Sequence, residues 1–221
     1  HSLTFNYNGD PFQRVVYTES HDEVANGKSR VPSEVDEVDQ EGFWARKRSA
    51  LGACLVMTAP GIPMIFQGQE LLATGHFDDG VEMDWEKGHR HPGMVRFYRD
   101  LIHLRGNRNE KCAGLRDSSL EILHANEESK VVAFLRGTGE GQALVVMNFS
   151  CMEFDEYSIG VPESGDWELV FHADAHFYSE DFGDKPISDV RSAEGDLDGK
   201  GHRLTVSLGS YDCLIFHRRG A

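Results

Sequence analysis

The residues best placed to do chemistry are Glu19-Ser20-His21-Asp22-Glu23-Val24-Ala25-Asn26-Gly27. They follow an apolar β-branched run, Val15-Val16-Tyr17, so the His21-Asp22 pair stands where a strand ends. Further on, a second apolar strand, Met64-Ile65-Phe66, ends in Gln67-Gly68-Gln69-Glu70. The acidic balance of the chain, net −15, suits neutral polyols, whose hydroxyls carboxylates bind without a charge clash. A helical stretch lies between the two strands. Strand, helix, strand, with polar groups at both strand ends, is how a parallel β/α barrel assembles a site.

The elements that must position these groups can be read from periodicity. Residues 41 to 59 are predicted helical. Phe43, Lys47, Ala50, Leu51, Cys54, Leu55 and Thr58 share a face, Trp44 is expected in the core, and Pro60-Gly61 stops the helix. An irregular acidic loop, Gly75-His76-Phe77-Asp78-Asp79-Gly80, leads to Met83-Asp84-Trp85. Pro92 opens a second helix, in which Met94, Phe97, Tyr98, Leu101, Ile102 and Arg105 form a stripe, and Gly106 ends it. After about residue 112 the pattern changes to short alternating runs: 120–125, 130–136, 142–149, 156–161, 167–171, 203–208 and 212–217. Seven short strands with close turns predict an antiparallel sandwich. Residues 172 to 202 read as one long polar loop, of the kind that is usually functional or mobile.

The chain has 221 residues, 39% of them hydrophobic, enough for one large domain or two small ones and against wholesale disorder. Its net charge of −15 argues against nucleic acid or an anionic membrane as partner, although plain solubility explains an acidic surface as well. No apolar run approaches a membrane span, and no signal peptide is visible. His1-Ser2-Leu3 reads as a tag scar, which places the native N-terminus upstream. The four cysteines have no C-x-x-C spacing, and Cys54 and Cys213 lie in apolar surroundings. They read as buried hydrophobes in a reduced, cytoplasmic setting. Asp196-Leu197-Asp198-Gly199 looks like half a calcium loop, but Ser207 stands where the bidentate Glu belongs, so a turn is expected. The eleven histidines show no H-E-x-x-H spacing. No metal and no cofactor are expected.

Tyr17-Thr18-Glu19-Ser20-His21-Asp22-Glu23-Val24-Ala25-Asn26-Gly27-Lys28 resembles the α-amylase superfamily of glycoside hydrolases, in the form found in bacterial branching enzymes. Thr58-Ala59-Pro60-Gly61-Ile62-Pro63-Met64-Ile65-Phe66-Gln67-Gly68-Gln69-Glu70 resembles the family's eighth-strand motif, and Met83-Asp84-Trp85 is similar to the Leu-Asp-Trp that follows it in branching enzymes. The resemblance implies an α+β chain: the last two strand–helix units of a (β/α)8 barrel in residues 1–111, then the family's all-β sandwich in 112–221. It implies that Asp22 is the third catalytic carboxylate, gripping two sugar hydroxyls as the ring distorts, and that His21 bonds the same sugar. Glu70 is a substrate contact or a buried brace at the barrel rim. Trp85 stacks on sugar or covers the barrel edge. Lys28 is a substrate contact or a solvated loop charge.

The family's nucleophile Asp, which follows an Arg by two residues, and its acid/base Glu both come before the His-Asp motif. Only 14 residues precede the Val15 strand, and no Arg-x-Asp segment occurs in the sequence. The expectation is a C-terminal piece of an α-glucan enzyme, a branching enzyme or an amylase, inactive alone and self-associating through its exposed strand edges. The rival is a carbohydrate-binding or structural accessory module. Exposed tryptophans on the sandwich would favour it, but the one tryptophan there, Trp167, alternates with Leu169 and Phe171 and should point inward.

Overall fold

The computed structural model of the chain describes residues 3–25, 27–183 and 185–219. His1 and Ser2 of the supposed tag scar, and Asn26 of the His-Asp motif, lie outside them. The first part runs β1 (Val15–Val16), α1 (His21–Val24), α2 (Val31–Val35), α3 (Phe43–Thr58), β2 (Ile62–Pro63), α4 (Glu86–Arg90) and α5 (Pro92–Arg105). The second part holds β3 (Leu120–Asn126), β4 (Val131–Arg136), β5 (Ala143–Asn148), β6 (Phe154–Val161), β7 (Asp166–His172), β8 (Val190–Arg191), β9 (Ala193–Leu197), β10 (Lys200–Leu208) and β11 (Cys213–Arg218).

β1 and β2 pair in parallel, Val15 with Ile62 and Val16 with Pro63. The second strand was expected at 64–66. Its ladder instead ends where the Met64 amide donates to the Val16 carbonyl at 2.9 Å, because Gln67-Gly68 already turns the chain and Gly68 needs a left-handed backbone. Gly61, at φ +131°, has no room for a side chain: a Cβ there would lie 2.8 Å from Val16. Both main helices fall where the periodicity places them. α5 starts at Pro92, whose missing N–H costs nothing in a first turn.

α3 departs from the one-faced stripe. Ala45, Ser49, Ala53, Val56 and Met57 are buried along with Lys47, Ala50, Leu51, Cys54 and Thr58 of the expected face, while Trp44 is 45% exposed rather than in the core. A helix buried nearly all round shows little amphipathic pattern, so a single stripe could not be read correctly from it. Its C-terminal carbonyls are capped by two buried arginines. Arg105 donates to the carbonyls of Met57, Ala59 and Gly61 at 3.1, 2.8 and 2.6 Å. Arg136 donates to that of Thr58, and further to those of Leu115 and Ser119. Burial lowers the pKa of both, to about 10 for Arg105 and about 9 for Arg136.

All seven sequence-read strands are present. Six strands form one sheet in the order β3-β4-β5-β11-β7-β8 and three form a second, β6-β10-β9. Period-two alternation sends the two faces of the larger sheet to different cores. Val131, Ala133, Leu135, Leu144, Val146, Leu214 and Phe216 meet Ile159, Val161, Leu204, Val206 and Leu208 of the smaller sheet. Phe134, Val145, Met147, Cys213 and Ile215 face the helices and pack with Leu51, Cys54, Met94, Phe97 and Leu101. The larger sheet is thus a wall shared by two layers. That explains why β5 is buried at every residue and reads as a continuous apolar run.

The polar stretch 172–202 is not one loop. β8 and β9 lie within it, and Asp174, Tyr178 and Phe182 are buried. β9 (Ala-Glu-Gly-Asp-Leu) escaped notice because an exposed edge strand needs no apolar face. Asp198 and Gly199, both left-handed, make the two-residue hairpin from β9 to β10, as the turn reading had it. No helix among the described residues is long and apolar enough to cross a membrane.

Candidate functional site

The loops that follow β1 and β2 are tied to each other. The Gln69 amide donates to Thr18 Oγ1 at 2.7 Å and accepts from the Phe66 amide at 2.6 Å. The Phe77 amide donates to the Val24 carbonyl, and the Arg30 amide to that of Gly75, both at 2.7 Å. The Arg30 guanidinium lies 5.0 Å over the Phe66 ring. Beneath this sits a buried ion pair: Glu19 accepts from Arg30 Nη1 at 2.9 Å and from the Val31 amide at 2.8 Å. Desolvation raises the Glu19 pKa, against the pull of the Val31 amide and Arg30. Glu19 therefore anchors the turn from within, while its sequence neighbours point outward.

Ser20 caps α1, its Oγ accepting from the Glu23 amide. α1 is short and presents His21 and Asp22 side by side. His21 Nε2 lies 3.2 Å from Asp22 Oδ1, and both side chains are more than two-thirds exposed. Lys28 joins the same turn through Glu23, at 3.0 Å. Glu70 is half-buried in the single turn Gln69–Leu71, and its charge, after desolvation and alongside Glu19, helps raise the pKa of buried Tyr98. Trp85 stands at the start of α4, 61% exposed. The structure thus gathers His21, Asp22 and Lys28 on one turn. Glu70 lies in the neighbouring loop, and Trp85 on α4 beyond it.

Two further charged clusters hold the frame. Lys47, on α3, donates to Asp174 after β7, and both are buried. Desolvation raises the Asp174 pKa, against the pull of Lys47. His172, Asp174 and Asp212 bring one ligand atom each to within 4.8 Å, a geometry a metal could use. Lys47 already supplies a cation there, and Asp212 accepts from the amides of Gly209 and Cys213. The second cluster centres on Glu41, which takes Lys87, His91 and Arg90. Burial opposes its charge, but hydrogen bonds from Lys87 and His91 hold the carboxyl down at about 2. Lys87 also donates to the carbonyl of Leu72, a residue held in the left-handed region.

The β region matches the family described as the α-amylase C-terminal all-β domain over residues 122–219. Residues 122–219 thus belong to that family of β domains. It is 32% identical over 182 residues to 1,4-alpha-glucan branching enzyme GlgB 1 of Xanthomonas campestris pv. campestris (strain 8004), covering 80% of this chain and 25% of that protein. It is 31% identical over 220 residues to 1,4-alpha-glucan branching enzyme GlgB 2 of Xanthomonas oryzae pv. oryzae (strain MAFF 311018), covering 96% and 29%. The chain thus spans about a quarter of the length of these relatives. Its fold is similar to that of a solved α-amylase from H. orenii, with a TM-score of 0.61 and 18% identity over 93% of this chain and 40% of that one.

In this α-amylase-type β domain Trp167 is buried, at 2% exposure, as the alternation required. Among the described residues the β domain therefore shows no exposed tryptophan. Sequence reasoning missed Glu19, Arg30, Asp174 and Asp212 as organising charges. Lys47 carried a signal: a lysine on the apolar face of a helix must find a buried anion.

Proposed function

We propose that this chain is the C-terminal part of an enzyme that cleaves α-1,4-glucosidic bonds with retention and transfers the cut chain, with 1,4-α-glucan branching favoured over hydrolysis. The observation that carries this is the turn after β1, where α1 holds His21 and Asp22 exposed together at the end of a strand parallel to β2. The names of the relatives, branching enzymes, support the choice of transfer. On this reading β1 to α5 are the last two units of a (β/α)8 barrel, with residues 1–111 in the barrel and 112–221 in the β domain.

Asp22 would then act on the transition state. An oxocarbenium-like ring gains from hydroxyl hydrogen bonds that tighten as it flattens, and a carboxylate accepts two at once. His21 donates to the same sugar. Trp85 offers a ring face for stacking, Lys28 a cation that must leave Glu23 to reach substrate, and Glu70 a half-buried carboxylate at the rim. Retention requires two further carboxyl groups roughly 5 Å apart. This reading assigns them to the rest of the parent protein and leaves the isolated chain inactive on amylose.

The test is Asp22→Asn in the full-length parent, assayed by iodine staining and reducing ends on amylose. Turnover should drop by several orders of magnitude, because the lost interaction belongs to the transition state. A parent that keeps its turnover would refute the assignment. Turnover by the isolated chain that survives Asp22→Ala would refute the fragment reading.

The same reading implies self-association. Val15 and Ile62 are about half exposed, at 48% and 50%, on a sheet of two strands with no charge to block further pairing. Light scattering should show a mass that rises with concentration. A strictly monomeric chain with residues 1–60 protected from protease would overturn this.

A further inference from the structure

We propose that the cleft between the start of α5 and the turn after β7 is a second glucan-binding site, built from residues other than the His21–Asp22 turn. This rests on the reading of the parent as an α-glucan enzyme and adds a place where the chain would be held. The cleft has a volume of about 740 Å³, within the ~300–1,000 Å³ of ligand pockets. Its floor and rim come from α3, α4, α5 and residues 176–181.

The decisive group is Phe177, 55% exposed in a cleft whose lining also includes Arg46, Arg90, Arg96 and Asp181. Its ring is held in place although it is open to solvent. It lies 4.0 Å from the Tyr178 ring, tilted by 41°. Tyr178 in turn packs edge-on against buried Phe97 at 4.9 Å. The Phe177 carbonyl accepts from Arg96 Nη1 at 3.1 Å. The Tyr178 backbone lies so close to α5 that a Cβ on Gly93 would come within 1.8 Å of its carbonyl oxygen, so only glycine permits this seat. A chain of contacts thus runs from the core to one exposed ring. A flat apolar face that is already immobile loses little entropy when a sugar ring stacks on it.

The polar lining fits hydroxyls better than an anion. Arg46 pairs with Asp181, and Arg90 with Asp84 at 2.9 Å and Glu41 at 3.5 Å. Two of the three lining arginines thus already hold carboxylates, and the third, Arg96, donates to the Phe177 carbonyl. A hydroxyl both donates and accepts, so it can use such pairs, whereas a phosphate on Arg46 or Arg90 would have to displace their carboxylates. α3 and α5 both begin at the ends of the loops that leave β1 and β2, so the cleft lies at the same end of the strand pair as Asp22.

Titration calorimetry of this chain with maltoheptaose tests the proposal. Phe177→Ala should weaken binding about tenfold, the loss of one stacking face, and Phe177→Trp should retain it. Phe177 is exposed, so both variants should fold, and the tryptophan variant separates stacking from any disturbance of the turn. Binding that is unchanged in Phe177→Ala and Arg96→Ala would overturn the site and leave the catalytic reading standing. Binding of inorganic phosphate but not maltoheptaose, lost in Arg96→Ala, would overturn it in favour of an anion site. Binding of neither would overturn it outright. Turnover of the Asp22→Asn parent, which decides the catalytic reading, does not enter this measurement.

Discussion

β1 and β2 pair over two residues each, whereas β10 runs for nine and β4, β5 and β11 for six. The short pair is parallel, so its partners must be joined by a long crossover, and the stabilising contacts lie in what the crossover contains. α3 is buried between α2, α5 and the shared wall, and the loops beyond the strands are stitched by Thr18, Gln69, Arg30 and Gly75. The antiparallel region carries its own core between two sheets. The helical half thus depends on its neighbours, while the β region encloses a core of its own and lends its second face to the helices.

Two tryptophans, one in each half, give the largest contrast. Trp167→Ala should cost about 3–5 kcal/mol in chemical denaturation, since it empties a site in the sandwich core. Trp44→Ala should cost about 1 kcal/mol, the order of its edge contacts with Phe43 and Tyr211. Equal losses would mean that Trp44 belongs to the core after all.

The link between the halves can be broken directly. Lys47→Met leaves Asp174 buried without its cation and should cost about 3–5 kcal/mol. Combining it with Asp174→Leu should recover most of that loss. Hydrogen exchange should show α3 opening before β5 in the single variant. If α3 and β5 still open together, another contact couples the two halves.

The smallest effect concerns acid. The Glu41 carboxyl sits at about 2 in the folded chain against an ordinary 4.5. A depressed acid contributes stability above its unfolded value, and that contribution is lost as pH falls through the folded value. Stability should therefore decline between about pH 4.5 and 2 partly through Glu41. Glu41→Gln should flatten that limb, loosening the α4–α5 corner without touching the sandwich. An unchanged acid limb would remove Glu41 from the account.

Much of the architecture was legible in the residues. Pro92 and Gly106 bracket α5, Pro60-Gly61 ends α3, and the alternation after residue 112 gives seven real strands. These signals are local: a ring that fixes φ, a residue free to take a left-handed turn, a period of two. The His21-Asp22 turn was legible for the same reason, since Ser20 caps it from its own sequence. What the sequence could not supply depends on partners far along the chain. Lys47 meets Asp174 across more than a hundred residues, Arg136 finishes a helix that ended long before it, and Phe177 gains a fixed seat only because Gly93 lets a distant helix approach. The edge strand β9 and the outward turn of Trp44 were decided in the same way. Burial is a property of the assembled layers, and no window of neighbouring residues contains it.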